Sequence, residues 1–344
     1  MAGREQDIRP CVGATYGLDR IYQGGDAFCI HNAATGRELS MPHDIPRAEI
    51  SRKVVIVGAG PGGLEAARVC AERGHEVVVF EAMPDAGGQI RLTAQSPRRR
   101  EMMSIIDWRL AQCEALGVEI QFNHYAEAED ILAESPDVVV IASGGLPDID
   151  VLETGNELLV SSWDMLAGDV KPGKRVLLFD DAGDHVALQA AEVIANSGAQ
   201  LEIMTPDRSF APEVMAMNLV PYMRSLQQLE VTFTVTYRLK SVQREGEALL
   251  AYVGSDYTDV NKPRRVDQVV VNHGTLPLDE VYFELKADSS NLGEVDQGAL
   301  IAGRPQIRVN NPQGRFQLFR IGDAVSARNT HAAIYDALRL CKDL

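Results

Sequence analysis

A glycine-rich turn followed by an acidic residue predicts a dinucleotide-binding site. The GxGxxG pattern at 58–63 follows the β-branched run 54–57 and precedes apolar residues with helical spacing. In such a turn the first glycine permits the tight bend, the second lets the backbone approach a pyrophosphate, and the third lets helix and strand pack closely. A second apolar run, 76–80, ends at Glu81. Its carboxylate suits the ribose hydroxyls of an adenosine and would repel the 2′-phosphate of NADP.

Three further segments carry small or polar residues suited to the same ligand. The Gly-Gly-Gln sequence at 87–89 suits close backbone approach, and the apolar run 138–141 ends in Ala-Ser-Gly-Gly at 142–145. Near the C-terminus, 316–324 predicts a strand that ends in Gly-Asp, and a helix follows from about Thr330. Ligands of doubly wound folds bind at the carboxyl edge of the parallel sheet, so these segments are expected to converge there.

The middle of the chain repeats this pattern with most of its glycines replaced. The apolar run 174–179 precedes a helical pattern at 187–194, but the turn at 180–185 reads Asp-Asp-Ala-Gly-Asp-His. Three carboxylates there would repel a pyrophosphate, so we expect no NAD(P)H binding in this half. Alternating residues at 229–253 predict strands, and 258–263 predicts a surface loop.

The predicted fold class is α/β, with two doubly wound Rossmann-like domains, the second inserted into the first. An extended N-terminal linker, expected to contact a partner, covers residues 1–50. The first dinucleotide-binding domain spans 51–170 and 300–344. A degenerate NAD(P)-like domain spans 171–299.

The composition is that of a soluble globular protein. The chain has 344 residues, 45% of them hydrophobic, and a net charge of −16. This charge argues against nucleic acid and anionic membranes as partners, and no apolar run reaches the ~20 residues of a membrane span. Five scattered cysteines without a CxxC pair indicate reduced thiols in the cytoplasm. Seven histidines lack metal-ligand spacing, so no metal site is predicted.

The ordered motifs at 58–63, 87–89, 142–145 and 322–323 resemble the FAD-binding fold of the two-dinucleotide-domain flavoprotein reductases. The resemblance implies that Asp323 binds the ribityl chain, a contact that ADP or NAD alone would not need. It also implies that the helix from Thr330 points its N-terminus at the isoalloxazine, where His331 can add a donor. The residues expected to contact FAD are Gly58, Ala59, Gly60, Gly62, Gly63, Glu81, Ala82, Gly88, Gln89, Ala142, Ser143, Gly144, Gly322, Asp323, His331 and Ala332.

The N-terminal segment makes the resemblance more specific. The sequence from Cys11 to Glu38 looks like the linker between the flavin barrel and the dinucleotide domains of the trimethylamine dehydrogenase and 2,4-dienoyl-CoA reductase family. Several members bind a [4Fe–4S] cluster there through four cysteines. Here Cys11 and Cys29 match the outer two, whereas Ala14 and Gly17 stand at or near the inner positions. Two thiolates do not hold the usual cluster, so we predict none in this chain.

The segments 273–286, 291–296 and 322–344 are similar to the demethylating branch of that family, which includes dimethylglycine and N-methylproline demethylases. In that family an FMN-bearing (β/α)₈ barrel, which takes ~250 residues, oxidises the substrate. Only 57 residues precede Gly58 here. The barrel and its catalytic residues are therefore expected on another polypeptide or in a missing region, and no catalytic residue is predicted in this chain.

The leading hypothesis is an FAD-bearing electron-transfer subunit of an N-methyl amine or N-methyl amino acid dehydrogenase (demethylase). It would relay electrons from the FMN barrel to an external acceptor such as an electron-transfer flavoprotein. One alternative is an NADH-dependent flavin reductase, which the acidic turn at 180–184 opposes. Another is a non-redox scaffold that binds ADP. Large apolar residues within 11–40 predict contact with the barrel polypeptide, and the alternative there is a lid on the chain's own FAD domain.

Overall fold

The computed structural model describes Gly3 and residues 5–344, which form two compact units. The first unit holds the described residues up to Ala94, then Arg98–Leu146 and Leu276–Leu344. The second holds Gln95–Pro97 and Pro147–Thr275. These divisions differ from the predicted domain boundaries at 171 and 299. Residues 147–170 fall in the second unit, where Leu159–Ser161 pairs with a strand at Val269–Val271, and residues 276–299 fall in the first.

The elements are numbered in chain order. The helices are α1 (Tyr16–Tyr22), α2 (Pro61–Glu72), α3 (Gln89–Gln95), α4 (Ser104–Ala115), α5 (Ala128–Ala133), α6 (Ser162–Ala167), α7 (His185–Asn196), α8 (Ala216–Gln228), α9 (Glu280–Lys286), α10 (Gln297–Ile301) and α11 (Thr330–Cys341). The strands are β1 (Lys53–Val57), β2 (Glu76–Phe80), β3 (Glu119–Gln121), β4 (Val138–Ile141), β5 (Gly145–Pro147), β6 (Leu159–Ser161), β7 (Arg175–Asp180), β8 (Gln200–Met204), β9 (Thr232–Thr234), β10 (Arg238–Glu245), β11 (Ala248–Ser255), β12 (Thr258–Val266), β13 (Gln268–Asn272), β14 (Thr275–Pro277) and β15 (Gln317–Arg320).

Each unit is built on a five-stranded parallel sheet. The order is β15-β4-β1-β2-β3 in the first unit and β6-β13-β7-β8-β9 in the second. The arrangement β4-β1-β2-β3 thus recurs as β13-β7-β8-β9. The predicted α/β class with parallel sheets is confirmed.

The sheet of the first unit is covered on both faces. Val54 and Ile56 belong to the core cluster that contains residues of α2 and α11, whereas Val55 belongs to the cluster on the other face. All three side chains are fully buried. Strands buried on both faces read as continuous β-branched runs, which explains the apolar run that preceded the glycine turn.

The N-terminal segment packs on the first unit. Val12, Ala33, Met41 and Ile45 belong to the same core cluster as α2. Within the segment a short helix forms, α1, of which no residue is buried. The sequence showed no helical period here because seven residues make only two turns.

The segment 258–263 is part of strand β12, so the predicted surface loop is wrong. β12 pairs antiparallel with β11 and is an outer strand of the three-stranded sheet β10-β11-β12 in the second unit. Its residues are exposed along most of its length, so it lacks the apolar alternation that marks a half-buried strand. Pro263 is tolerated because edge strands can do without one ladder N–H.

Among the described residues no helix combines the length and apolarity needed to cross a membrane.

Candidate functional site

The turn between β1 and α2 is so close to neighbouring backbone that glycine is required at both ends. Gly58 has a φ of +102°, and a Cβ there would lie 2.4 Å from the carbonyl oxygen of Ala142. A Cβ on Gly63 would lie 1.9 Å from the carbonyl oxygen of Gly58. These contacts leave no room for a side chain, so the first and third glycines of the pattern serve the packing of strand, turn and helix.

The second glycine of the pattern faces open space instead. Gly60 is the N-cap of α2, and a Cβ placed on it would meet no atom within 4 Å. Its extended backbone is accessible to any residue, so local strain does not explain glycine here. Gly60 also leaves the helix without a side-chain cap, so the first N–H groups of α2 have no anionic side chain at the N-cap. An open, uncapped helix N-terminus suits an external anion.

Glu81 lies beside this turn at the end of β2. Its Oε2 accepts a hydrogen bond from the N–H of Ala59 at 2.7 Å, and its Oε1 accepts one from Met83 at 2.8 Å. The residue is buried. Each carboxylate oxygen has a second lone pair, so the group remains able to accept from ribose hydroxyls. Ala82, the next residue, is exposed.

Gln89 and Asp323, which are 234 residues apart in sequence, are hydrogen-bonded at the same edge. Gln89 Nε2 donates to Asp323 Oδ2 at 2.9 Å, and the backbone N–H of Arg328 donates to Oδ1 at 3.1 Å. Burial raises the pKa of Asp323, and the bonds from Gln89 and Arg328 oppose that rise. Gly88 lies against Gly60, since its Cβ would be 3.6 Å from the Gly60 Cα.

Helix α11 packs closely against the same turn. A Cβ on Gly62 would lie 3.2 Å from the carbonyl oxygen of Ala333, and a Cβ on Gly322 would lie 3.2 Å from the Ala333 Cβ. Asn329 caps α11 by accepting a hydrogen bond from the N–H of Ala332 at 3.0 Å. The structure therefore brings the predicted motifs at 58–63, 81, 88–89, 142 and 322–323 together at one sheet edge.

Two predicted site residues direct their polar atoms elsewhere. The Ser143 hydroxyl donates to the carbonyl of Leu278, and the N–H of Leu278 donates to the carbonyl of Gly144 at 3.0 Å. Ser143 and Gly144 thus hold the segment before α9. Their remaining backbone groups, not the Ser143 hydroxyl, are the atoms available to a ligand.

His331 is held on both sides by the N-terminal segment. Its Nδ1 lies 2.9 Å from the carbonyl oxygen of Cys29, and its Nε2 lies 3.3 Å from Nη1 of Arg37. A carbonyl only accepts and a guanidinium only donates, so we infer that Nδ1 carries the proton and the ring is neutral. Burial lowers the pKa of His331 to about 4, with Arg37 contributing in the same direction.

An aromatic and cationic cluster surrounds this histidine. The His331 ring stacks on Tyr16 and Phe28, with ring centroids 4.9 and 5.9 Å away. The Arg37 guanidinium lies 3.5 Å from the Phe28 ring centre and 4.5 Å from that of Tyr335. The sequence did not single out Arg37, because its partner His331 lies 294 positions away and no local pattern links the two.

A buried ion cluster formed by α2 and α4 also holds the N-terminal segment, at His31. Glu65 lies 2.8 Å from Arg68 and 2.8 Å from Arg109, and both Glu65 and Arg109 are fully buried. Burial alone would raise the pKa of Glu65, but these two arginines hold it well below its usual range. Arg109 also donates to the carbonyl of His31 at 2.8 Å.

Within the described part of the chain, no group of three or more histidine, cysteine, aspartate or glutamate side chains is arranged to hold a metal ion. Cys11 is exposed and Cys29 is half-buried, and both are free thiols. A Cβ on Gly17 would lie 2.7 Å from the carbonyl oxygen of Phe28, so this position has no space for a cysteine side chain.

Residues 56–103 match the model of an NAD(P)-binding Rossmann-like domain. This range begins in β1 and includes the glycine turn and Glu81.

The chain is similar over almost its whole length to known oxidoreductases. A probable N-methylproline demethylase of Rhizobium meliloti (strain 1021) is 72% identical over 341 residues, which are 99% of this chain and 50% of the relative. An N,N-dimethylglycine/sarcosine dehydrogenase of Chromohalobacter salexigens is 46% identical over 349 residues, 98% of this chain and 50% of the relative. The chain thus spans about half the length of the curated relatives it matches.

A solved structure is also similar to this chain over almost its whole length. The complex of 2-naphthoyl-CoA reductase with 2-naphthoyl-CoA superposes with a TM-score of 0.81 at 26% identity. The match covers 99% of this chain and 47% of that protein.

Proposed function

We propose that this chain is the FAD-binding, electron-transferring portion of an N-methyl amine or N-methyl amino acid demethylating dehydrogenase. The family we propose is that of trimethylamine dehydrogenase and 2,4-dienoyl-CoA reductase. The observation that carries the proposal is the open, uncapped N-terminus of α2 at Gly60, surrounded by Glu81 and by the hydrogen-bonded pair Gln89 and Asp323. The relatives with demethylase and dehydrogenase names support the reaction class.

The residues at this edge fit the parts of FAD in order. The N–H groups at the start of α2 face the pyrophosphate, with Gly60 allowing close approach. Glu81 accepts from the adenosine ribose, and Asp323, held by Gln89, accepts from the ribityl chain. The start of α11 lies beyond Gly322 and adds its positive dipole end near the isoalloxazine. When bound, FAD supplies the one- and two-electron chemistry of the site.

The substrate-oxidising site is proposed to lie outside this chain. The relatives are about twice as long, and half of each lies outside the match with this chain. We propose that an FMN-bearing barrel polypeptide supplies the oxidised amine's electrons and that an external acceptor, such as an electron-transfer flavoprotein, receives them. The chain's own residues position the relay flavin.

Reconstitution with FAD and with ADP tests the cofactor assignment. We expect the purified chain to bind FAD in a one-to-one complex with a perturbed visible spectrum, and ADP to compete for the same site. FAD binding that ADP does not displace would place the flavin elsewhere. A chain that binds ADP and no FAD would support the scaffold alternative and would contradict the proposal.

Electron transfer is tested by mixing. The FAD-loaded chain is combined anaerobically with the separately expressed barrel polypeptide and an N-methyl amine such as dimethylglycine or N-methylproline. We expect the FAD absorbance to bleach only when chain, barrel and amine are all present. Bleaching by the amine without the barrel would contradict the placement of the oxidising site outside this chain.

A further inference from the structure

The second unit has the strand, turn and helix of a dinucleotide site, but its own carboxylate caps the helix. In the first unit Gly60 is the N-cap of α2 and provides no side-chain cap. In the second unit α7 begins after Asp184, whose Oδ1 accepts a hydrogen bond from the N–H of Val186 at 2.9 Å. A donor that would meet a phosphate at the start of α7 therefore already has an anionic partner.

The side chain of Asp180, the last residue of β7, bonds the backbone of the turn between β7 and α7. Its Oδ1 accepts hydrogen bonds from the N–H groups of Ala182 at 3.2 Å and Gly183 at 2.9 Å. The residue is 1% exposed. The backbone donors of the turn are thus directed at the chain's own carboxylate.

Asn272 joins the two carboxylates. It lies opposite Asp180 in the pairing of β13 with β7, and its Nδ2 donates to Asp180 Oδ1 at 3.0 Å and to Asp184 Oδ1 at 3.1 Å. Its Oδ1 accepts from the Ser162 hydroxyl at 2.8 Å. Burial raises the pKa of Asp180 to about 7 and also raises that of Asp184. The two acids are therefore built into a hydrogen-bonded network that closes the turn.

A neighbouring loop also covers the turn. Gly183 has a φ of +67°, and a Cβ on it would lie 2.5 Å from Cδ of Pro212. The N–H of Glu213 donates to the carbonyl of Gly183 at 3.1 Å. In the first unit the N-cap of α2, Gly60, is open, since a Cβ there would meet nothing within 4 Å. The same element order is thus open in one unit and closed in the other.

We propose that Asp180 and Asp184 are specificity determinants that exclude nicotinamide dinucleotides from the second unit, because their carboxylates occupy the turn and the helix N-terminus that a pyrophosphate would need. The exclusion follows from the second unit alone. Its consequence, that electrons reach the flavin from a protein partner rather than from NADH, rests on the proposed function. Failure of FAD binding and failure of dinucleotide exclusion are therefore separate results.

The third acid of the turn provides a matched control. Asp181 Oδ2 lies 3.2 Å from Nη1 of Arg238 and 2.9 Å from Nδ1 of His273. Its carboxylate pairs with these side chains and not with the N–H groups of the turn or of α7. Asp181→Asn removes the same charge from the same turn and leaves the carboxylates of Asp180 and Asp184 in place.

Calorimetric titration of the full chain, pre-saturated with FAD, uses NADH and inorganic pyrophosphate as probes. We expect no saturable binding of either to the wild type at millimolar concentration. The double variant Asp180→Asn/Asp184→Ser removes both carboxyl groups, and serine retains a helix cap. We expect this variant to bind pyrophosphate about tenfold or more tightly than Asp181→Asn does, which corresponds to ~1.4 kcal/mol.

Three results would overturn the proposal. The first is saturable NADH binding to the wild type that shifts the amide NMR signals of Gly183 and Val186. The second is an equal gain of pyrophosphate binding in Asp181→Asn. The third is a double variant that is folded by circular dichroism and gains no binding. If the double variant does not fold, Asp184→Ser alone is expected to bind pyrophosphate more tightly than Asp181→Asn does, by a smaller factor. No gain of pyrophosphate binding in a folded Asp184→Ser variant would also overturn the proposal.

Discussion

Arg37 Nη1 and His331 Nε2 lie 3.3 Å apart, although 294 positions separate the two residues in sequence. The contact joins the N-terminal segment to the first turn of α11, the helix expected to face the flavin. Since the second ring nitrogen bonds the Cys29 carbonyl, His331 fixes two points of that segment at once. His331 thus holds the N-terminal segment in place, in addition to the role toward the flavin that the sequence predicts.

The first prediction concerns acid sensitivity of this contact. The folded pKa of His331 is about 4, below the 6.5 of a free histidine, so the folded state binds fewer protons. Its contribution to stability is complete above pH 6.5 and is lost as the pH falls from 6.5 toward 4. The full shift would amount to at most about 3 kcal/mol. On protonation Nε2–H would face the Arg37 guanidinium, which also only donates.

Trp108 fluorescence can follow this loss, because its Nε1 donates to the Asp7 carbonyl of the N-terminal segment. Denaturant unfolding is measured between pH 4 and pH 7 in a Trp163→Phe background. We expect His331→Gln to flatten the pH dependence and His43→Gln, at an exposed position, to leave it as in the wild type. Equal slopes for wild type and His331→Gln would contradict the prediction.

The second prediction separates folding from ligand binding at the glycine turn. Gly63→Ala places a Cβ 1.9 Å from the Gly58 carbonyl oxygen, and we expect it to cost about 3 kcal/mol of unfolding free energy. Gly60→Val points into open space and is expected to cost about 1 kcal/mol, the usual loss when an apolar residue stands at an N-cap. It should nevertheless weaken FAD binding about tenfold or more, since the side chain occupies the phosphate approach. Full retention of FAD by Gly60→Val would place the pyrophosphate elsewhere.

The third prediction distinguishes the two acids of the site by the part of FAD that each contacts. Asp323→Ala should weaken FAD binding about tenfold and leave ADP binding unchanged, because ADP has no ribityl chain. Glu81→Gln should weaken both ligands to a similar degree, because both contain the adenosine ribose. Dissociation constants for FAD and ADP measure this. Asp85→Asn, an exposed acid near the same loop, is the control. If Asp323→Ala weakens FAD and ADP binding equally, Asp323 does not contact the ribityl chain.

Local sequence patterns predicted β1, β2, the glycine turn and Glu81 because these parts contact one another within a short stretch of chain. β1 pairs with β2, and Glu81 bonds Ala59, which lies 22 positions earlier. Gly58 and Gly63 are explained by backbone contacts that any such turn makes. The pairing of Arg37 with His331 and the engagement of Ser143 by Leu278 depend on tertiary contacts that no local period encodes. The two compact units also divide the chain differently from the predicted domains. The short strand β6 joins its sheet through β13, more than a hundred residues later.

The fourth prediction concerns iron. Cys11 and Cys29 have no cysteine partners at Ala14 and Gly17, so iron and acid-labile sulfide should be near zero after anaerobic purification. About four iron atoms per chain would overturn this. The double variant Ala14→Cys/Gly17→Cys should not restore a cluster, because the Cβ at 17 would lie 2.7 Å from the Phe28 carbonyl oxygen. A cluster in this variant would show that the segment can rearrange.

The fifth prediction concerns the surface that contacts the barrel. Removing residues 1–45 is a poor test because Val12, Ala33 and Met41 belong to the core of the first unit. Helix α1 instead presents apolar side chains to solvent, with Ile21 52% and Tyr22 74% exposed. Exposed aromatic and aliphatic side chains of this kind are typical interface anchors.

We therefore expect Ile21→Ser/Tyr22→Ser to weaken binding of the FMN-barrel polypeptide about tenfold or more, because each anchor commonly contributes 1 kcal/mol or more. Both side chains are largely exposed in this structure, so thermal stability and FAD binding should be unchanged. Ile307→Ser, at an apolar position that is 81% exposed, is the control and should bind as the wild type does. Association is measured by calorimetry or analytical ultracentrifugation with the separately expressed barrel. If the double variant binds as tightly as the control, the barrel contacts another surface, and the exposed face of α1 is not the interface.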